Sequence, residues 1–279
     1  MKPPQKNVLQ QWRLLLEYEG TRYSGWQEQS NARTISGEVR RAVEKVVRSE
    51  VTIQGAGRTD AGVHALAQVA TAKTRAAVNP ENFLSMINRN LPKDITVLKL
   101  ESVSANFHPR HDALRRVYLY QIATRRTALA KQFVWWVPER LHLSAMQEAC
   151  SLLIGPHDFE RFADQRREDG STIVLVESVE MDAEEDLILF RIGASHFLWK
   201  MVRRIVGVLV EVGRGKLRAD QFAAYLKSQP LDPLLQNFSI AAHTAPASGL
   251  FLERVIYDPS DEMPPLQPVF RISSPHASS

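Results

Sequence analysis

The sequence predicts an α+β fold in which the element order β-α-β-β-α-β occurs twice. Segments with alternating apolar residues are interspersed with segments of helical periodicity, and the same series begins again near Arg116. The 279 residues are 44% hydrophobic and 24% charged, which is an ordinary globular composition. No residue-level repeat is visible, so the predicted duplication rests on element order alone.

The first series follows from hydrophobic periodicity and helix-capping signals. Val39, Val43 and Val46 recur on one face of residues 35–48, with arginine and lysine outside, which predicts an amphipathic helix. Asn79 followed by Pro80 is typical of a helix start. The predicted elements are a strand at 12–18, a helix at 35–48, strands at 51–54 and 65–73, a helix at 80–91 and a strand at 95–100.

The second series has the same order with one extra helix. Its predicted elements are a strand at 116–123, a helix at 144–154 with Ser144 as N-cap, strands at 173–182 and 187–193, helices at 198–213 and 219–228, and a strand at 250–257. The predicted domain organisation is an N-terminal tail (1–11), an N-terminal half (12–104), a C-terminal half (105–258) and a disordered tail rich in Pro and Ser (259–279).

Cysteine usage and hydropathy exclude several classes of protein. The single Cys150 excludes an intramolecular disulfide framework and multi-thiolate metal sites, so we expect a reducing, cytoplasmic location. Cys150 lies on the apolar face of its helix, where a buried, inert thiol is expected. No signal peptide is predicted, and the apolar run 205–210 is far shorter than the roughly 20 residues that cross a bilayer. We therefore expect no membrane association.

Basic charge is concentrated in two segments. The net charge is +4, and Lys and Arg cluster at 107–131 and 200–218, where aromatic residues are interleaved with them. Such patterns favour nucleic-acid binding through phosphate contacts and base stacking, although solvated faces are the alternative. The acidic residues at 177–186 surround a predicted hairpin and are interpreted as a solvated face.

The glycine-rich segment 55–64 is the most unusual in the chain. It lacks the glycine pattern and following helix of a dinucleotide site, and it lacks the Gly-Lys-Ser/Thr end of a Walker A loop. One interpretation is that Asp60 is a turn cap. The other is that Asp60 is a carboxylate that needs a cationic partner, and it is favoured because Val63 and Val69 draw the loop into the core.

Other candidate residues have simple structural explanations. Arg203 and Arg204 lie at the edge of the predicted helix 198–213, where an arginine often extends its head to water. Arg116, Tyr118 and Tyr120 share one strand face, which predicts a half-exposed sheet. A metal site at His108 and His111 is rejected, since Pro109 breaks the helix that would bring the two together and no third clustered His or Cys follows.

Six ordered segments resemble the tRNA pseudouridine synthase A family over roughly residues 12–257. They are residues 18–27 (YEGTRYSGWQ), 57–64 (GRTDAGVH), 106–110 (NFHPR), 116–120 (RVYLY), 197–203 (FLWKMVR) and 244–250 (TAPASGL). The resemblance implies a mixed, largely antiparallel sheet built from two pseudo-symmetric halves. It also implies a cofactor-free homodimer that converts uridines at positions 38, 39 and 40 of the tRNA anticodon stem-loop to pseudouridine.

The resemblance assigns roles residue by residue. Asp60 matches the catalytic aspartate, Tyr118 the active-site tyrosine, Arg203 the arginine that pairs with the aspartate, and Arg58 the residue that enters the stem as the base leaves it. The remaining matches are the apolar wall Leu250 and the RNA-contacting loop with Phe107, His108, Arg110 and His111. Ser36 stands where the family usually has Gln, and region 164–176 lacks the cysteine and the arginine that are often found around its Ser-Thr step.

The residues agree with the implied chemistry, and two alternatives remain. The reaction needs a nucleophilic carboxylate, a guanidinium that keeps it ionised, and a flipped-out base, but no metal or nicotinamide. A non-catalytic RNA-binding protein or chaperone would explain the basic segments without using Asp60. A hydrolase would need a second carboxylate beside Asp60, and none is evident in the sequence.

Overall fold

The computed structural model describes residues 9–75, 78–164 and 171–272. The chain divides into two compact units: unit 1 comprises Met1–Leu114 and Leu252–Pro259, and unit 2 comprises Arg115–Phe251 and Ser260–Ser279. Both contain helices and mainly antiparallel strands, so the predicted α+β class is confirmed. In these three ranges, no helix combines the length and apolar character needed to cross a membrane.

Unit 1 has the predicted β-α-β-β-α-β order. Its strands β1 and β4 pair antiparallel, β1 also pairs antiparallel with β3, and β2 pairs with β3. Leu14 and Leu16 of β1 are fully buried, as are Val39 and Val43 of the first helix and Phe83 of the second. The elements are β1 (Gln10–Tyr18), α1 (Ile35–Val47), β2 (Thr52–Gly55), β3 (His64–Thr74), α2 (Pro80–Asn90) and β4 (Ile95–Val103).

Unit 2 repeats that order with insertions. Its main sheet has the order β5-β9-β8-β7, with antiparallel pairing throughout, and β6 lies parallel to β5. The elements are β5 (Arg115–Ala123), β6 (Trp135–Trp136), α3 (Leu143–Ser151), β7 (Gly155–Asp158), β8 (Ile173–Glu184), β9 (Leu187–Ala194), α4 (Met201–Gly213), α5 (Ala219–Tyr225), α6 (Pro233–Gln236) and β10 (Leu250–Ile256). The chain passes from unit 2 to unit 1 within β10, after Phe251.

Two helix starts differ from the prediction. Helix α3 begins one residue before Ser144, and its N-cap is His142, whose backbone N–H is held by the Gly213 carbonyl at 2.8 Å. A tertiary contact therefore sets this boundary. Helix α4 begins at Met201 rather than at residue 198, because Lys200 adopts a left-handed φ of 62° that ends the helical path.

The unit boundaries also differ from the predicted domains. Residues 105–114 belong to unit 1, where the Gln11 side-chain amide donates to the carbonyl of Phe107 at 2.6 Å. The tail predicted to be disordered is ordered as far as Ile272, which is 5% exposed. The backbone N–H of Val269 donates to the Gln121 side chain at 2.7 Å, so a contact within unit 2 fixes this proline-rich segment. Residues 1–8 and 273–279 lie outside the described ranges.

Candidate active site

The Asp60 loop connects β2 to β3 within unit 1. Arg58 is exposed, Thr59 is buried and Asp60 is half-buried, so the carboxylate lies at the border between core and solvent. Val63 and Val69 are each almost completely buried, which confirms that apolar residues draw the loop into the core. The buried valines anchor the loop, while the Asp60 side chain stays close enough to the surface for a substrate to reach it.

Hydrogen bonds within unit 1 hold the loop on both sides of Asp60. The hydroxyls of Tyr18 and Thr59 lie 2.8 Å apart, and the Gln68 side-chain amide donates to the Gly57 carbonyl at 3.0 Å. The Asp60 carbonyl accepts from the backbone N–H of Val63 at 3.2 Å. The backbone on both sides of the carboxylate is therefore organised before any substrate binds.

Residues 20–26 pack against the Asp60 loop and donate hydrogen bonds that support it. Their close approach to the loop requires glycine at position 25. The backbone N–H of Trp26 donates to the Thr59 carbonyl at 3.0 Å. Gly25 has a φ of 87°, and a Cβ on it would lie 2.6 Å from that same carbonyl oxygen. The Gly20 N–H donates to His64 Nδ1 at 3.0 Å, so this buried histidine accepts through an unprotonated nitrogen.

Burial keeps the supporting tyrosine neutral. Burial raises the pKa of Tyr18 to about 12, although hydrogen bonds from Thr59 and Gln68 act in the opposite direction. At neutral pH its hydroxyl therefore carries a proton and can serve as a donor or an acceptor. Neither Tyr18 nor Thr59 was identified as functional from the sequence; the signals available were the place of Tyr18 at the start of the 18–27 motif and the place of Thr59 in the 57–64 motif.

Strand β5 buries its tyrosines in unit 2. Tyr118 is 8% exposed and packs edge-on against Phe197, with ring centroids 4.9 Å apart. Tyr120 is fully buried, and the Nη1 of Arg116 donates to the Ser195 carbonyl at 3.0 Å. The predicted half-exposed face is therefore wrong, since aromatic rings and loop carbonyls cover it.

The two arginines of α4 bind protein groups. Arg203 Nε donates to the Ala245 carbonyl at 2.7 Å. Arg204 is 6% exposed and donates to the Ala163 carbonyl and to Asp164. The interpretation that both merely extend to water is therefore wrong, because each guanidinium donates within unit 2.

The loop 104–112 has a defined conformation in unit 1. Phe107 packs against Tyr257, with Arg13 over both rings at 5.5 and 4.6 Å from their centroids. His108 Nδ1 accepts the backbone N–H groups of Arg110 and His111 at 3.1 and 3.2 Å. Arg110 and His111 are exposed, as a binding loop requires.

The two histidines of this loop are in contact despite the proline between them. Their ring centroids lie 4.2 Å apart, because the chain forms a turn here that brings the two side chains together without a helix. Burial and the nearby His111 lower the pKa of His108, which favours its neutral form. No group of three His, Cys, Asp or Glu side chains is placed to hold a metal among residues 9–75, 78–164 and 171–272.

Cys150 and Ser36 have structural roles. Cys150 is buried, as predicted, and burial raises the pKa of its thiol to about 12, which favours the protonated and less reactive form. Ser36 is buried, and its hydroxyl donates to the Trp26 carbonyl at 2.5 Å, next to the segment that supports the Asp60 loop. Residues 165–170, part of the divergent 164–176 region, lie outside the described ranges.

The predicted site residues divide between the two units. Asp60, Arg58 and the 107–111 loop belong to unit 1. Tyr118, Arg203 and Leu250, which is 4% exposed at the start of β10, belong to unit 2. The predicted pairing of Asp60 with Arg203 stays a prediction.

Comparison with known proteins identifies the family. The family model for tRNA pseudouridine synthase matches residues 15–112 and 149–258. This chain belongs to the tRNA pseudouridine synthase family, as its motifs predict.

Individual relatives are similar over nearly their whole length. The tRNA pseudouridine synthase A of Thermodesulfovibrio yellowstonii is 38% identical over 257 residues, which cover 88% of this chain and 98% of the relative. The proteins of that name from Acetivibrio thermocellus and a Thermoanaerobacter species are 36% and 39% identical, with the same coverage of both chains.

Proposed function

We propose that the protein is an isomerase that converts uridine to pseudouridine in the anticodon stem-loop of tRNA, at positions 38, 39 and 40. Membership of the tRNA pseudouridine synthase family supports the reaction and the substrate class. The observation that carries the proposal is the half-buried Asp60 in a loop that unit 1 organises on both sides. The three tRNA positions rest on the motif resemblance.

Each proposed catalytic residue has a role in the bond changes. The N-glycosidic bond between N1 and C1′ breaks, a bond between C5 and C1′ forms, and C5 loses a proton that N1 gains. Asp60 supplies the nucleophilic carboxylate. Tyr118 stacks on the base and relays the C5 proton through its hydroxyl. Arg203 supplies a guanidinium that stabilises the carboxylate in its charged form.

Binding residues complete the proposal. A paired uridine must leave the stem before it can react, and Arg58, which is exposed, fills the space that it leaves. Leu250 forms an apolar wall against the base. The loop with Phe107, His108, Arg110 and His111 contacts the RNA backbone. The reaction is a redox-neutral rearrangement, so the proposal includes no cofactor and no metal.

A homodimer and a cytoplasmic location are also part of this proposal. The homodimer rests on the family resemblance, and the location rests on the single Cys150. A non-catalytic RNA-binding protein is not favoured, because a phosphate-binding surface gains no affinity from an organised carboxylate.

The experiment is tritium release from tRNA labelled at C5 of uridine. We expect release by the wild-type protein and a loss of at least roughly 10³-fold in Asp60→Asn, since the amide is not a nucleophile. Binding of tRNA should stay within about twofold, because removing a negative charge takes away no phosphate contact. The matched control is Glu17→Gln, which neutralises an exposed carboxylate of the same unit.

Two results would contradict the proposal. If Asp60→Asn still releases tritium, Asp60 is not the nucleophile. If tRNA binding falls in step with activity, Asp60 is a structural cap of its turn.

A further inference from the structure

Helix α4 lies directly against the segment that precedes β10. A Cβ placed on Gly207 would lie 1.5 Å from the His243 carbonyl oxygen, so any side chain at this position would push the two backbones apart. Ala245, two residues further on, is fully buried. The backbone of α4 at Gly207 therefore packs directly against the backbone of the segment at His243. A shift of either backbone would disrupt this close packing.

Arg203 makes two hydrogen bonds to one residue of this segment, Ala245. The Ala245 N–H donates to the Arg203 carbonyl at 3.0 Å, and Arg203 Nε donates to the Ala245 carbonyl at 2.7 Å. A guanidinium is planar and rigid, so fixing Nε fixes the directions of the N–H groups on both terminal nitrogens. The position of one carbonyl thus sets the orientation of the proposed carboxylate-stabilising group.

Tyr120 holds the next carbonyl of the segment. Its hydroxyl donates to the Pro246 carbonyl at 2.8 Å, and the residue is fully buried. Burial raises the pKa of Tyr120 well above its usual range, against the opposing effect of the Arg203 charge, so the hydroxyl remains a donor. A Cβ on Gly249 would lie 2.6 Å from the ring, so the ring also packs closely on the segment beyond Pro246.

We propose that Tyr120 is a positioning residue for the isomerisation: it holds the Pro246 carbonyl and so fixes the adjacent Ala245 carbonyl, which orients Arg203. This inference rests on the proposed function, in which Arg203 takes part in the reaction. Tyr120 itself lies fully buried in β5. Its effect should therefore appear in kcat and leave KM for tRNA unchanged.

The first test compares two tyrosines with the same local chemistry. In Tyr120→Phe the ring remains but the Pro246 carbonyl loses its donor, and we expect kcat to fall about tenfold, since small misplacements of reacting groups cost up to roughly 100-fold. The control is Tyr225→Phe, because the hydroxyl of buried Tyr225 also donates to a backbone carbonyl, that of Leu235, at 2.9 Å. We expect a similar loss of thermal stability in both variants and an unchanged kcat in the control. An unchanged kcat in Tyr120→Phe, or an equal fall in both variants, would overturn the proposal.

The second test asks whether Tyr120 acts through Arg203. Lysine at position 203 has no guanidinium to orient, so Tyr120→Phe should lower the residual kcat of Arg203→Lys by less than about twofold. If the two effects multiply, the residues act independently and the proposal is wrong.

A third readout does not depend on catalysis. Hydrogen exchange at the Ala245 amide should be faster in Tyr120→Phe and unchanged in Tyr225→Phe. If wild-type protein releases no tritium, the proposed function fails, whereas this exchange result still shows whether Tyr120 holds the segment. Equal exchange at Ala245 in wild type and Tyr120→Phe would overturn the positioning role.

Discussion

Residues next to the candidate catalytic side chains make hydrogen bonds to residues far away in the sequence. Thr59 beside Asp60 contacts Tyr18, 41 positions earlier, and Tyr120 contacts Pro246, 126 positions later. The sequence drew attention to the Asp60 loop because glycine-rich loops between strands are unusual, whereas the catalytic role of Asp60 rests on the family resemblance and stays a prediction. The supporting roles of the Tyr18 and Tyr120 hydroxyls could not be identified from the sequence. A tyrosine in a strand gives the same local sequence pattern whether its ring only packs in the core or its hydroxyl also makes a hydrogen bond.

The hydroxyl of Tyr118 can be separated from its ring. Tyr118→Phe keeps the ring that packs against Phe197, so base stacking and tRNA binding should persist. If the hydroxyl relays the C5 proton, single-turnover tritium release should slow by at least roughly 100-fold. Tyr118→Leu serves as the comparison, because it removes the aromatic ring as well and should weaken binding in addition. A wild-type rate in Tyr118→Phe would restrict Tyr118 to stacking.

At the scale of elements, hydrophobic periodicity predicted the order of strands and helices well. It did not find β6 or β7, which have two and four residues and carry no alternation to detect. It also described α4 as amphipathic with arginines at one edge. In the structure 12 of its 13 residues are buried, including Arg204 and Glu211. Their charges are tolerated there because Arg204 pairs with Asp164, and Glu211 pairs with Arg214 and Lys216.

The ionised state of Glu211 holds the end of α4. Burial would raise the pKa of Glu211, but hydrogen bonds from Arg214 and Lys216 outweigh it, and the pKa is lowered. A carboxyl with a lowered folded pKa contributes stability above its unfolded pKa of about 4.3. That contribution is lost as the pH falls through the folded value.

Glu211→Gln should therefore lower the free energy of unfolding at pH 7, by about 1–3 kcal/mol for a buried group that loses charged hydrogen bonds. The difference from wild type should shrink as the pH falls from the unfolded pKa of about 4.3 towards the lowered folded pKa, below which the wild-type carboxyl is also protonated. Urea denaturation at about pH 7, 5.5 and 3 measures the difference. Asp220→Asn is the control, since its ion pair with Arg218 is exposed to solvent and the substitution should leave the free energy of unfolding nearly unchanged. A pH-independent difference would exclude the ionisation of Glu211 as the cause.

At the scale of the whole molecule, the cations of the basic segment 200–218 are less available for phosphate contacts than the sequence implies. Carboxylates pair with five of the six cations of segment 200–218, and Arg203 binds a carbonyl. The ion pairs are Lys200 and Arg204 with Asp164, Arg214 and Lys216 with Glu211, and Arg218 with Asp220. The acidic stretch likewise does more than face solvent, since Glu180 pairs with the buried Arg191. Charge patterning alone could not show which cations are already paired within the chain.

The salt dependence of tRNA binding should distinguish the two segments. Each phosphate contact that is lost reduces the slope of log K against log salt by roughly 0.7–0.9. Arg110 is exposed in the ordered 104–112 loop, so Arg110→Gln should weaken binding and reduce the slope by about that amount. Arg218→Gln removes the same charge from another exposed side chain, which lies outside the loop proposed to contact the RNA and whose guanidinium binds Asp220 at 2.7 Å, so the slope should not change. Affinities between about 50 and 200 mM salt provide the measurement. Equal slopes for Arg110→Gln and wild type would show that the loop makes no phosphate contact through Arg110, and a reduced slope for Arg218→Gln would show that RNA displaces its carboxylate partner.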